Sequence, residues 1–382
     1  MRQFNERVVL QAIRLHGSCP KAELARLTGL TAQTIGLITT RLEDDGLIVR
    51  QAAVRGRVGQ PSVPMALNPD GAFSIGIKIG RRSADWLLVD FAGQVRQRQS
   101  IDYAFPTADA LFPEVSRRLT DLHQSLGPLQ DRLVGIGLAA PFQIGGWHRM
   151  LGLSEAQAEA WNRIDLQAQV QAMTPAPVLF AKDTSSACVA ELVVGRGRDL
   201  KNFLYFFVDT FVGGGLVINS HLHGGVHGNA GAVASLPMAL AQVDAPVPEQ
   251  LIGRASLWQL EQRLMTQGLD AHAAYDDRAL SEPFATETRA WIAQAANALA
   301  HAVVSGTAFL DIDAVVIDGN FSRDLLEQLI DATQSALQQY SWEGLWNANV
   351  LAGQVGPDAR ALGGALLPLH ANFAPDQDLF LK

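Results

Sequence analysis

The chain opens the same way twice. Residues 73–91, FSIGIKIGRRSADWLLVDF, and residues 203–219, FLYFFVDTFVGGGLVIN, each read as an apolar run, a short turn and a second apolar run. Runs of this β-branched and aromatic type, bounded by glycine or charge, are strands rather than helices. A repeated hairpin in a chain of 382 residues implies two lobes, each with its own sheet. Between and after the hairpins come LVGIGLAAPF as a further strand and VVIDGN as a late buried one. ALFPEVSRRLTDLHQSL and TETRAWIAQAANALAHAVVSGTAFL carry the longer period of helices. The body from about residue 72 is therefore of the α/β class.

The first 67 residues have a different texture. Val8, Val9, Ala12 and Ile13 recur at helical spacing. PKAELARLTGL follows, with Pro20 suited to a first helical turn and Gly29 to a C-terminal cap. Thr31 is placed to cap a third helix running to about Asp44, with Ile35, Ile38 and Leu42 on its inner face. GLIVRQAAVRGRVGQPSVPMALN then gives two short strand-like runs around a basic tip. Helix, tight turn, helix and hairpin is the winged helix-turn-helix order. In that motif the second helix enters the major groove of double-stranded DNA. Thr31, Gln33, Thr34 and Leu37 are the base-facing candidates, with Gln33 able to pair with adenine, and Arg41 is a phosphate candidate. Arg55 and Arg57 at the tip, with Gln60 in the linker, are candidates for the minor groove.

Charge supports this division. The net charge is -8, yet residues 1–60 carry nine Lys/Arg against five Asp/Glu, so the head is basic and the body acidic. Two cysteines, Cys19 and Cys188, lie far apart, which excludes a disulfide framework and a cysteine-rich zinc site and fits a reducing cytoplasm. The charged start MRQFNERVVLQAIR is no signal peptide, and no apolar run is long enough to span a membrane. His221, His223 and His227 in HLHGGVHG resemble metal ligands in spacing, but an exposed hairpin turn accounts for them and no metal is expected.

These segments together resemble the ROK family (repressors, open reading frames, kinases) over nearly the whole chain. The resemblance rests on PKAELARLTGLTAQTIGLITTRLEDDGLIV with GQPSVPMALNPDG, on the two hairpins, on AKDTSSACVAE and on GGVHGNAGAVASLP. It implies an N-terminal winged helix-turn-helix followed by a two-lobed actin-like, sugar-kinase (ribonuclease H-like) ATPase fold. The implied domains are 1–67 for the head and linker and 72–382 for the body. Its lobes are placed at about 72–190 and 191–382, with the C-terminal helix returning to the first.

Set beside that family, the chain has lost the groups that serve a nucleotide. Lys78 stands where the first-strand Asp supports magnesium, and Arg81 and Arg82 replace the Gly and Thr of the first phosphate turn. In DTFVGGGLV, Thr210, Gly213 and Gly215 remain, but Asp209 and Phe211 replace two glycines of the second phosphate loop. The adenosine-side Gly-Gly turn reads Asp318-Gly319. On the sugar side Asp183 occupies the position of the kinase base, beside Lys182 in place of Asn. Asn229 is kept in GGVHGNAGAVASLP, while Ala232 and Ser235 replace the sugar-gripping Glu and His, and the zinc cysteines are missing. Gln157 falls near the family's Asn ahead of a core Trp161. A ligand set of Gln157, Lys182, Asp183, Asn229, Ala232 and Ser235 follows, with no catalytic residue and no cofactor.

The expectation is a cytoplasmic, homodimeric transcription regulator that binds an operator and answers to a sugar or sugar derivative. The alternatives are a regulator controlled by a protein partner and a carbohydrate kinase with a DNA-binding appendage. The first needs no chemistry in the body, and the last needs a nucleotide site that four substitutions oppose.

Overall fold

The computed structural model describes residues 2–53, 62–243 and 246–375. The head contains α1 (Arg2–His16), β1 (Ser18–Pro20), α2 (Lys21–Thr28), α3 (Ala32–Asp44), β2 (Ile48–Arg50) and β3 (Pro64–Leu67). Gly29 ends α2 in the left-handed conformation, at φ 69°, which glycine adopts without strain. Thr31 caps α3 by accepting from the Thr34 amide at 3.2 Å. The three strands pair antiparallel in the order β1-β3-β2, and Val9, Leu10, Ile13, Leu24, Ile35, Ile38 and Leu42 close a core beneath them. The basic tip expected between β2 and β3, with Arg55, Arg57 and Gln60, lies outside the described residues.

The body comprises two sheets of the same plan. The first is ordered β6-β5-β4-β7-β8, from β4 (Phe73–Ile79), β5 (Ser83–Asp90), β6 (Val95–Asp102), β7 (Leu133–Ala140) and β8 (Val178–Lys182). The helices α4 (Ala108–Ser125), α5 (Glu155–Asn162) and α6 (Leu166–Gln171) accompany it. Leu111, Val115, Leu119 and Leu122 on one stripe of α4 meet Ile75, Ile77, Trp86 and Leu88 from the sheet, all buried. Each such side chain contributes roughly 1.5–3 kcal/mol through loss of water contact.

The second lobe begins with α7 (Asp183–Val194). Its sheet is ordered β11-β10-β9-β12-β13, from β9 (Phe203–Val208), β10 (Gly213–Ile218), β11 (His221–Leu222), β12 (Ala314–Gly319) and β13 (Asn349–Ala352). The helices α8 (Ile252–Ala255), α9 (Leu257–Thr266), α10 (Ala285–Leu310) and α11 (Arg323–Leu337) pack on it. Finally α12 (Ala359–Phe373) closes the described chain. In both sheets an antiparallel hairpin is joined by a parallel neighbour, β4 to β7 and β9 to β12. Crossovers that contain helices link the parallel pairs, as parallel pairing requires.

The compact units are Met1–Ala181 with Gly364–Lys382, and Lys182–Gly363. The division falls nine residues before the approximate 190/191 boundary that the resemblance implied. The reason is local: α7 packs on β10, where a Cβ at Gly213 would stand 2.6 Å from Thr184 and one at Gly215 2.6 Å from Cys188. The helix belongs to the sheet that it covers.

The head is part of the first unit. Arg7 donates from α1 to the carbonyls of Ala371 and Ala374, at 3.5 and 3.3 Å, at the end of α12. Arg14 lies 5.4 Å from the centroid of the Phe91 ring, which meets Phe373 edge-on at 4.7 Å. Arg132 donates to the carbonyl of Gly71 at 3.0 Å and of Asp45, the cap of α3, at 3.4 Å.

Within this unit α12 crosses β7 with no clearance. A Cβ at Gly137 would fall 1.7 Å from the carbonyl oxygen of Gly364. Gly137→Ala therefore forces two backbones apart, and the expected cost is about 3 kcal/mol, seen as a lowered melting temperature in a thermal unfolding scan. An unchanged melting temperature would show that α12 can lift without loss.

Candidate functional site

The outer face of α3 is the first candidate. Ile35, Ile38, Thr39 and Leu42 face inward, so helical spacing turns Gln33, Gly36, Leu37 and Thr40 together toward solvent. Gln33 and Thr40 are exposed and Leu37 is 61% exposed, a costly place for leucine in water unless something covers it. Thr31 and Thr34 are tied to one another, Oγ1 to Oγ1 at 2.9 Å, so both serve the cap. Arg41 pairs with Glu6 of α1 at 2.9 Å, which spends part of its charge within the head. Gly36 and Thr40 were missed in the sequence; counting three and seven residues on from Gln33 finds both.

Gly36 is informative because nothing inside the head requires it. A Cβ there would meet no atom within 4 Å. A glycine within a helix costs roughly 1 kcal/mol relative to alanine, and here neither packing nor a turn explains it. It leaves the centre of the exposed stripe at backbone height, open to close approach.

The second candidate lies in the second unit, where β8 gives way to α7. Lys182 is buried and donates to Asn229 Oδ1 at 3.2 Å and to the Ala230 carbonyl at 3.4 Å. Burial pulls its ammonium below the ordinary lysine range, against the pull of neighbouring Asp183. Asp183 opens α7 and accepts from the Thr184 amide at 2.8 Å. Its other oxygen, Oδ2, faces Arg360 at 3.9 Å, while Arg360 bonds Asp209 at 2.5 Å. The pairing partner of Asp183 is thus an arginine 177 positions along the chain, and Arg360 was missed for that reason. Ala232 precedes the short turn Val233–Ser235, whose Ser235 is exposed and gives its carbonyl to Gln250. Lys182, Asp183 and Asn229 are brought together here. Gln157 belongs to the first unit, where its amide oxygen closes a capping box with Ser154 at 3.0 and 2.9 Å.

The positions that would meet a nucleotide in a kinase of this plan are tied up internally. Lys78 is buried and donates to Ser83 Oγ and Asp85 Oδ2, the latter at 3.0 Å. Arg81 donates to the carbonyls of Gln143, Ile144 and Gly146 and lies over Trp147, which fixes the loop after β7. Asp209 holds Arg360 and accepts from Asn320 at 3.0 Å. Thr210 shares a hydrogen bond with Tyr275 at 2.8 Å. Asp318 accepts from the amides of Gly319 and Gly356 and from Arg323, and burial pushes its carboxyl up. Gly213 and Gly215 are retained because α7 leaves no room for a side chain. Their survival is a packing requirement and says nothing about phosphate.

Known proteins agree with both halves. Residues 5–49 match a winged helix-turn-helix DNA-binding domain, and residues 74–371 match the ROK family. A protein of Sinorhizobium fredii, y4fQ, with no described function, is 26% identical over 97% of this chain and 92% of its own length. The xylose repressor of Bacillus subtilis is 24% identical over 68% of this chain and 66% of its own length. Among solved structures, a ROK family transcriptional regulator, a homologue of the E. coli Mlc protein, superposes with a TM-score of 0.72 at 18% identity, covering 97% of this chain and 96% of that one. A ROK glucokinase from Streptomyces griseus, solved with glucose and AMPPNP, gives 0.62 at 18% identity over 78% of this chain and 99% of that one. At that identity the two structures speak for the fold alone.

One prediction comes from Gly36. Gly36→Ala should raise the melting temperature of the head, since alanine favours helix by roughly 1 kcal/mol, while lowering affinity for DNA about tenfold or more. Unfolding and fluorescence-anisotropy titration on the same preparation check it; a variant both more stable and equally tight would remove Gly36 from the interface. With its exposed α3 and its kinase-like body, the chain belongs to the ROK family and carries a winged helix-turn-helix DNA-binding domain.

Proposed function

We propose that the chain is a sequence-specific transcription regulator, of the repressor type, that controls genes of carbohydrate metabolism or transport. A sugar or sugar derivative, held without phosphorylation near Asp183, is its effector, and two copies acting as a homodimer in the cytoplasm read paired half-sites. The observation that carries this reading is a contrast between the two halves. The outer face of α3 keeps Gln33, Gly36, Leu37 and Thr40 presented outward, whereas Lys78, Asp209, Thr210 and Asp318 are committed to partners inside the body. A phosphoryl-transfer site needs acidic groups free for magnesium and amides free for phosphate. The similarity to the xylose repressor supports the choice of a sugar as effector.

A second reading has an observation in its favour. Val226, Leu240 and Val247, between β11 and α8, are each at least 90% exposed. Such a set suits a protein partner that controls DNA release in place of a small molecule.

Selection of bound duplexes from a random pool tests the first reading. The expected result is a two-fold symmetric site, lost or relaxed in the Gln33→Ala/Thr34→Ala double variant, since a bidentate side-chain contact is worth about 1–3 kcal/mol of discrimination. Incubation with ATP, magnesium and a panel of pentoses and hexoses should give no phosphorylated sugar. Absence of any enriched site at low salt would overturn the regulator reading, and turnover would restore the kinase.

A further inference from the structure

Beyond the carboxyl end of β7, the first unit holds a cavity of about 370 Å³. No residue of the effector set around Asp183 lines it. Its walls come from the loop after β7, the end of α5, the turn into α6 and β8, all within that unit. Phe142, Trp161 and Phe180 give it three aromatic side chains, and Phe142 and Phe180 are 49% and 36% exposed. A single exposed apolar side chain is ordinary on a protein surface. Two phenylalanines lining one concavity of this size, with a few polar groups among them, have the make-up of a small-molecule pocket.

The walls are pinned, so the cavity does not close by collapse. Arg81, which stands where the family has a phosphate turn, donates to the carbonyls of Gln143 and Ile144 at 2.9 and 3.1 Å and so fixes the loop. One residue further on, a Cβ at Gly145 would stand 2.4 Å from the Ala158 carbonyl oxygen, which puts that loop directly against α5. Trp161 donates from Nε1 to the Pro106 carbonyl at 2.9 Å, and this bond orients its ring. Gln167 donates to the Val178 carbonyl at 2.8 Å and ties the α6 wall to β8. Walls ordered in advance spare a ligand the cost of ordering them.

Charge narrows the choice of ligand. The lining contains no lysine, arginine or histidine, and its one ionisable side chain is Asp165. Asp165 caps α6 through Oδ1, which accepts from the Ala168 amide at 2.9 Å, while Oδ2 accepts from none of the described residues. An anion would meet this carboxylate with no cation to offset it, whereas a hydroxyl can donate to it. We propose that this cavity binds a neutral, hydroxyl-bearing aromatic ring, packed against Phe142 and Phe180 and donating a hydrogen bond to Asp165. A free phenol and the phenolic part of an aryl glycoside present the same chemistry. Such a site stands whether or not the head reads DNA.

Calorimetric titration of the full chain at low salt tests it, with 4-hydroxybenzyl alcohol, the glucoside of its phenolic oxygen, glucose and the anion 4-hydroxybenzoate as probes. The alcohol, its glucoside or both should bind, and Phe142→Ala/Phe180→Ala should weaken that binding about fivefold or more. Binding of the alcohol identifies a free phenol as the occupant; binding of the glucoside alone identifies an aryl glycoside. 4-Hydroxybenzoate should bind about threefold or more weakly than the alcohol, and Asp165→Asn, which keeps a good helix cap, should close that gap. Both phenylalanines are partly exposed, so the double variant should melt close to wild type. Equal affinity in wild type and the double variant, or no binding of either ring-bearing probe, would overturn the site. Binding of glucose that the double variant abolishes would overturn the choice of an aromatic ligand.

Discussion

Two bare backbones in contact govern much of this structure. On α12 a Cβ at Gly363 would fall 1.6 Å from the Ser186 carbonyl oxygen, and the Gly364 carbonyl oxygen lies where a Cβ at Gly137 would come within 1.7 Å. The first holds the helix to α7 and the second to β7. Contacts of this kind leave no room for a side chain at Gly363 or at Gly137 and little room for sliding within each unit. Glycines that look like remnants of phosphate binding, Gly213 and Gly215, obey the same rule. The frame of a sugar kinase is kept because its backbones interlock.

Chemistry is a separate matter from the frame. Three polar residues of the body pair within their own units: Lys78 with Asp85, Asp209 with Arg360 and Asp318 with Arg323. A buried charge without a partner is costly, and internal pairing meets that cost here.

Much of the fold was legible. The strands β4, β5, β7, β9, β10 and β12 are apolar runs edged by glycine or charge, and the helices α3, α4 and α10 show clean stripes. Others were silent for identifiable reasons. β6, with sequence VRQRQSID, is an edge strand with mostly exposed side chains, so it shows no apolar alternation. The start of α7 was read as a motif, and only packing on β10 assigns it to the second lobe. For the site, Lys182, Asp183 and Asn229 were reached by motif. Arg360 was not, because an ion pair between distant positions leaves no local pattern. Gln157, read as a ligand position by alignment, closes the capping box of α5 with Ser154.

The joint between head and body bears on how such a protein can change over generations. Arg14 is half-buried against Phe91, and burial draws its guanidinium down to about 10. Phe91 is held by Phe373, and Arg132 of the body reaches Asp45, the cap of α3. The head is therefore no interchangeable cartridge. Grafting a foreign head would strand these three body residues without their mates, whereas the outward stripe of α3 touches none of them. Substitutions on that stripe leave the joint intact, so lineages of such chains should diverge there while the joint stays put.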